Sequence, residues 1–393
     1  MGRLIGALML MLTVLPMVGQ DVKCKLDSIM RGRYVSDAPG AAIYISHNDS
    51  VIINQGYGVL DMDSKVAITD STLFNIASVT KQFTTVGILK LHELGMLDIN
   101  DSIAKFFPEL TSDIWKRVKV KHLMSHSSGV ADKRRRDNLD YMLTIDDKES
   151  ISYLPILNSL KFEPGTEYDY INPTFQILSE IIRRVSGEGF EAFQKRNIFD
   201  VAGMQDAIYF YPEIAGTDVA HGYINGVEKS SADKDSDKDI NTRDAKLYLD
   251  SDSIVWQEYD YGEETFFGTK SDGGLYCSIR DFVKWETALE ENMIISKKTK
   301  DMAYAAHIKV TGSEYSSYQN RENTYYGFGW FMDRTTLLPV KIYHTGDNGG
   351  YQIYAAKYPE KGIVILHFEN RNDYDRWSMA KEIDELLIEA GIL

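Results

Sequence analysis

The sequence predicts an α+β fold: an antiparallel sheet built from both ends of the chain and flanked by helices, with a mostly helical region inserted at approximately residues 97–270. Three observations predict it. Residues 41–46 and 51–56 are apolar runs split by His47-Asn48-Asp49-Ser50, a β-hairpin signal. Near the other end, residues 341–343, 352–358 and 362–369 read as successive strands. Between the two ends apolar residues recur at helix spacing, as at Phe175, Ile177, Leu178, Ile181 and Ile182.

In chain order, Met1-Gly2-Arg3 leads into the apolar run 4–18, which is too short for a membrane span of about 20 residues. Residues 1–19 read as a secretory signal peptide. Residues 20–393 would then form one exported domain, periplasmic or secreted, with no stable membrane insertion after cleavage. The context Met17-Val18-Gly19 departs from the small-x-small pattern, which leaves an uncleaved anchor as the alternative. Cys24 follows Asp21-Val22-Lys23, unlike a lipid-attachment site. With only Cys277 as its fellow it reads as a free thiol rather than part of a disulfide framework.

Residues 22–33 read as a helix, and 61–70 as a polar loop leading to Phe74. The apolar run from Val79 predicts a long helix ending near Gly95. Short helices are expected at 101–107, stopped by Pro108, and in Lys121-His122-Leu123-Met124-Ser125-His126-Ser127-Ser128-Gly129, ending at the glycine. Residues 151–160, 173–184 and 190–199 read as helical. Residues 226–260 are acidic and poor in aliphatics, a surface excursion. Asp272-Gly273-Gly274-Leu275 then opens an ordered segment, with helices at 280–291 and 377–390.

The formal charge of −15 argues against nucleic acid and anionic membrane surfaces as partners, because both need a basic face. Chemistry enters at Ser78-Val79-Thr80-Lys81. Residues three apart on a helix share a face, with Cβ atoms about 5–6 Å apart. Ser78 would therefore meet Lys81 at the helix's first turn, where the macrodipole favours developing negative charge. A lysine desolvated by apolar neighbours can take a serine's proton. The spacing recurs at Ser102–Lys105, Ser231–Lys234 and Ser378–Lys381, so it needs support from elsewhere.

Two further polar sites supply it. Tyr170-Ile171-Asn172 follows a Pro-Gly turn and precedes a helix. Tyr170 offers a hydroxyl for proton transfer and Asn172 both a donor and an acceptor. The plainer alternative makes Tyr170 a packing residue and Asn172 a helix N-cap. His344-Thr345-Gly346-Asp347 lies in a polar, glycine-dense stretch between two strands. Gly346 permits close approach to the backbone and His344 offers a titratable ring. The alternative there is a hairpin turn.

In this order, Ser78-x-x-Lys81, Tyr170-x-Asn172 and His344-Thr345-Gly346 resemble the penicillin-recognising serine hydrolases. The resemblance is to the class C β-lactamase-like group with its D-Ala-D-Ala carboxypeptidases, D-aminopeptidases and esterases. Residues 74–81, 123–130, 162–172, 272–276 and Tyr326-Gly327-Phe328-Gly329-Trp330 look like that group too. The resemblance implies a β-lactamase/transpeptidase-like fold and a serine hydrolase acting through an acyl-enzyme on Ser78. Lys81 and Tyr170 would form the pair that handles the Ser78 proton. Asn172 would orient Lys81 and bind the substrate amide, and His344 and Thr345 would line the site. Backbone N–H groups of Ser78 and Asp347, after Gly346, would form the oxyanion hole. The partner implied is a small-molecule or peptide substrate, with no metal or cofactor.

Departures from the group's pattern narrow the substrate. Many relatives carry Lys at the His344 position, a permanent charge for a substrate carboxylate. Asp347 adds a carboxylate beside the expected hole, and Ile171 replaces a small residue. The His344 and Asp347 changes weaken the case for an efficient β-lactamase and leave peptidase or esterase open. Among the substrates the resemblance implies, D-amino-acid peptides of peptidoglycan type are expected before esters, and both before β-lactams. A non-catalytic penicillin-binding sensor of the same fold is the alternative. Arg134-Arg135-Arg136 reads as a solvated basic loop before it reads as a replacement charge. Residues 233–244 copy part of a calcium loop's oxygen spacing but put Lys238 where the turn needs Gly, and read as a solvated acidic loop.

Overall fold

A computed structural model describes residues 20–134, 145–209, 218–225, 247–258, 270–311, 323–335, 337–373 and 375–393. The expected signal segment, the calcium-like loop, Arg135 and Arg136 lie outside these residues.

Helix α1 (residues 20–33) precedes β1 (Ala41–His47) and β2 (Ser50–Tyr57). Asn48 and Asp49 turn this hairpin with φ of 48° and 62°, the left-handed pair that a tight two-residue hairpin requires. The rest of the sheet comes from β3 (Ile308–Lys309), β4 (Thr324–Tyr326), β5 (Phe331–Asp333), β6 (Lys341–Asn348), β7 (Tyr351–Tyr358) and β8 (Ile363–Glu369). The eight strands run β2-β1-β8-β7-β6-β5-β4-β3, every pair antiparallel. The two ends of the chain meet where β1 pairs with β8, Ala41 opposite Glu369 and His47 opposite Ile363. This is the expected α+β architecture.

Side-chain alternation gives the sheet two packed faces. Ala41, Ile43 and Ile45 of β1, with Ile363 and Ile365 of β8, pack against Leu26 and Met30 of α1 and against Ile383 and Leu387 of the terminal helix. Ala42, Tyr44, Leu366 and Phe368 point the other way, into the larger core of the helical region. That region is organised around α2 (Thr80–Glu93), with α3 (Pro173–Ser186) and α4 (Ile279–Glu290); α5 (Arg376–Glu389) closes the opposite face. Helix α2 is buried on all sides from Thr80 to Leu89, including the polar Thr80, Lys81, Gln82, Thr84 and Thr85, rather than on one stripe. Phe83 stacks on Trp285 of α4 at 4.1 Å.

Several local expectations change. The segment after Met124 is not helical: helices cover only Ile114–Arg117 and Val120–Met124. Ser125 Oγ donates to the Lys121 carbonyl at 2.9 Å and lies 2.8 Å from Ser127 Oγ, and Ser128 Oγ accepts from the Val130 N–H. Such local hydroxyl bonds compete with helix continuation. In 101–107 and 151–160 the helical portions shrink to one-turn 3-10 segments at Ile103–Lys105 and Leu154–Ile156. Residues 344–348 continue β6 instead of interrupting it; the turn falls at Gly349-Gly350. Part of the expected surface excursion is structured too. Leu247–Leu249 and Val255–Glu258 pair in a three-stranded sheet with Tyr223–Asn225, and Trp256 is fully buried with Arg371 stacked on it at 4.3 Å.

Cys24 is exposed and Cys277 buried, both free thiols. No described helix is long and apolar enough to cross a membrane.

Candidate active site

The strand Phe74–Asn75 pairs with Leu275–Cys277 and delivers the chain to a 3-10 turn, Ala77–Val79, that feeds α2. Ala77 holds a φ of 46°, a left-handed conformation that costs a non-glycine residue on the order of 1–3 kcal/mol and is found at functional turns. Asn75 secures it: its Oδ1 accepts from the Ala77 N–H at 2.9 Å and from Asn348 Nδ2 at 3.1 Å. Ser78 is left partly exposed while Lys81 behind it is fully buried.

Lys81 Nζ donates to Ser78 Oγ at 3.0 Å and to the Asp272 carbonyl at 2.7 Å. Burial lowers its pKa to about 8, the Asp272 carboxylate opposing this and Arg134 adding to it. At pH 7 roughly a tenth of Lys81 is then the free amine, against well under about a thousandth for a solvated lysine. Neighbouring α2 residues tie the same segment down. Thr80 Oγ1 accepts from the Leu275 N–H, and Thr84 Oγ1 donates to the Ser271 carbonyl at 2.6 Å. The Asp272 carboxyl is buried and its pKa raised by that burial, although Lys81 and Arg134 pull it down; Gln176 Nε2 donates to it at 3.4 Å.

Tyr170 is brought to the same place. Lys81 Nζ sits 5.0 Å from its ring centroid, and the ring lies parallel to Phe331 at 6.4 Å. Asn172 occupies the N-cap position of α3, but its side chain makes no capping bond. Its Oδ1 is buried without a hydrogen-bond partner among the described residues, while the Lys81 ammonium bonds to Ser78 and to the Asp272 backbone.

His344, Thr345, Gly346 and Asp347 lie on β6, with His344 opposite Ala355 and Gly346 opposite Ile353 on β7. Strand pairing, not a turn, sets their positions. His344 is fully buried between two partners: Nδ1 lies 2.7 Å from the Thr345 carbonyl and Nε2 3.0 Å from the Tyr326 hydroxyl. The first bond makes Nδ1 the donor, so Nε2 accepts from Tyr326. Burial lowers the ring's pKa to about 3, with Lys81 next and Arg376 also contributing, so His344 is neutral throughout the physiological range. It is therefore no proton switch: an NMR titration of His344 should show no inflection between pH 5 and 8, and a midpoint near 6.5 would contradict this.

Gly346 has a structural reason. A Cβ there would fall 2.4 Å from the Ile76 carbonyl oxygen and 3.0 Å from Ala77 Cβ. The close approach that glycine permits is between β6 and the turn carrying Ser78. Gly346→Ala should push the two apart, costing about 1–3 kcal/mol as overpacking does and weakening Ser78 reactivity. Unchanged urea midpoint and activity would contradict it. The Asp347 carboxylate, expected to disturb the oxyanion hole, is ion-paired to Arg376 at the start of α5, whose Nη1 also donates to the Gly346 carbonyl at 2.9 Å.

Arg134 departs from the solvated-loop reading. Its side chain is only 7% exposed and makes a two-pronged ion pair with Asp132, at 3.0 and 2.8 Å. The other Ser-x-x-Lys copies among the described residues are surface features. Lys105 pairs with Asp101, Ser378 Oγ donates to Asp375, and Lys381 pairs with Glu385.

The Beta-lactamase family pattern matches residues 26–387, nearly the whole chain. The chain belongs to the beta-lactamase family. The expected serine-hydrolase class stands with that membership. Among its relatives, Penicillin-binding protein 4* of Bacillus subtilis (strain 168) is 22% identical over 349 residues, 86% of this chain and 69% of that protein. A D-aminopeptidase of Gluconobacter oxydans (strain 621H) is 24% identical over 333 residues, 84% of this chain. This chain spans only 55% of that enzyme's length. In fold it is similar to the D-amino acid amidase of Ochrobactrum anthropi SV3, with a TM-score of 0.72 at 21% identity, covering 95% of this chain and 98% of that one.

Sequence reasoning missed Asn75, His126, Asp272 and Arg376 as parts of this site. Asn75, His126 and Asp272 were inside stretches already singled out, but nothing in the sequence states that Asn75 caps the Ser78 turn or that Asp272 offers Lys81 its carbonyl.

Proposed function

We propose that this beta-lactamase-family chain hydrolyses amide or ester bonds at D-amino-acid residues through an acyl-enzyme on Ser78. The observation that carries it is Ser78 Oγ held 3.0 Å from the buried Lys81 amine. The Ser78 hydroxyl proton passes to the Lys81–Tyr170 pair as Oγ bonds to the substrate carbonyl carbon. The oxyanion that forms would be held by the backbone N–H groups of Ser78 and Asp347; removing one such donor typically costs about 3–4 kcal/mol. Collapse breaks the bond to the leaving amine or alcohol, which receives the proton. Water then attacks the ester and restores Ser78.

The substrate class draws on the names of the D-aminopeptidase and the D-amino acid amidase, together with the neutral His344 and the paired Asp347, which offer no free cation for a β-lactam carboxylate. The leader-like residues 1–19 support an exported site of action. The test is a panel of D- and L-amino acid amides and esters, D-Ala-D-Ala peptides and a chromogenic penicillin. A D-over-L preference of at least about tenfold, or roughly 1.4 kcal/mol, is expected. Equal rates on both enantiomers would overturn the substrate class. A stable penicillin adduct without turnover of any member would favour a sensor instead.

A further inference from the structure

We infer that His126 is the positioning residue that aims Tyr170 at the Ser78–Lys81 pair; this rests on the reading of Tyr170 given above. One residue grips three consecutive ones. The His126 carbonyl accepts from the Asp169 N–H at 2.8 Å, and its Nδ1 accepts from the Ile171 N–H at 3.3 Å. Between these bonds its ring lies 4.0 Å from the Tyr170 ring, tilted by 31°. One residue thus holds the backbone on both sides of Tyr170 and packs on its ring, beside the Lys161–Asp169 ion pair, the Thr174 hydroxyl's bond to the Ile171 carbonyl and the Phe331 ring.

Reaching that position has a conformational cost. His126 is fully buried and holds a φ of 52°, a left-handed conformation uncommon for non-glycine residues, among which Asn, Asp and His adopt it most readily. The break in the helix after Met124 is what turns it inward. Phe175 at 5.1 Å and Tyr326 at 5.0 Å wall the ring in, and Tyr326 is the residue whose hydroxyl bonds His344. Accepting from the Ile171 N–H requires a neutral ring with the hydrogen on Nε2. Burial, Lys81 and His344 together hold the imidazole well below its ordinary pKa, which keeps the ring neutral; the Ile171 bond then places the hydrogen on Nε2, which has no hydrogen-bond partner among the described residues. Without the grip, 169–171 would keep the Lys161 and Thr174 bonds but lose the two bonds that flank Tyr170 and the ring that packs on it. A misplacement of about 1 Å is enough to cost on the order of a hundredfold in rate.

The test compares His126→Ala, His126→Asn and His126→Phe, alone and in a Tyr170→Phe background, by kcat, KM and the rate of Ser78 labelling with a fluorophosphonate. Asn suits a positive φ and keeps an acceptor; Phe keeps the ring and loses the acceptor. His126→Ala is expected to lower kcat and labelling about a hundredfold with KM changed less than about threefold, and His126→Asn to recover about tenfold of that. In the Tyr170→Phe background the His126 changes should add little, because both act through one group. Near-normal kcat in His126→Ala, no recovery with Asn, or equal losses in both backgrounds would overturn the inference. If His126→Ala does not fold, Asn against Phe carries the same comparison. Full activity of Tyr170→Phe alone would instead bring down the role given to Tyr170, whatever the His126 variants do.

Discussion

Ser78→Ala should abolish labelling by both a fluorescent penicillin and a fluorophosphonate and lower kcat/KM by at least about 10⁴-fold, since a removed nucleophile takes the covalent route with it. The fold should be unharmed. Ser78 is partly exposed at the end of a turn fixed by Asn75, by β6 and by the Leu275–Cys277 strand, none of which uses its hydroxyl. The melting temperature should therefore stay within about 2 °C, as for a surface change. Persistent labelling in the variant would move the chemistry elsewhere in the chain.

Lys81→Met should be as inactive as Ser78→Ala, but its effect on stability should depend on pH. Lys81 is fully buried, and its pKa falls from 10.5 to about 8 on folding. Between those values the unfolded chain binds the extra proton, so wild-type stability rises with pH across that window. Below pH 8 the full cost of burying the charge is present, on the order of 3 kcal/mol; above about 10.5 it is gone. Methionine pays none of it, though it leaves the Asp272 carbonyl without its donor. The stability difference between variant and wild type should thus shift against the variant by about 3 kcal/mol from pH 7 to pH 10.5. Denaturant unfolding at the two values measures it, and a pH-independent difference would show that Lys81 is not depressed. In the wild type kcat/KM should rise through about pH 8 as the free amine forms. A fall through that value would make the ammonium the working form and hand the base role to Tyr170.

The sheet was legible because its strands alternate or run apolar at both chain ends, and α2 because a long, mostly apolar run extends from Val79 to Leu91. The helices expected at 121–129 and 151–160 were not, because hydroxyl bonds at Ser125, Ser127 and Ser128 and the proline in Leu154–Ile156 override local propensity. The three motifs were visible as chemistry. Their geometry was not: His344 looked like a titrating group, and Asp347 like a free carboxylate.

By itself the sequence determined that Ser78 and Lys81 lie about one turn apart at the start of a helix, because the three-residue spacing sets it; that Ser78 sits in a 3-10 turn ahead of α2, held by Asn75, was decided by the fold. It also determined that both chain ends build the sheet, since side-chain alternation is a local signal. Only the tertiary structure decided which charges survive. Burial makes His344 neutral and lets Lys81 give up its proton more readily, and Arg376, arriving from the last helix, takes up Asp347. It also decided that His126, on a stretch expected to be helical, turns inward to hold Tyr170. Desolvation and ion pairing depend on neighbours from other elements, 29 residues away for Asp347 and 191 for Lys81, and no local pattern encodes them.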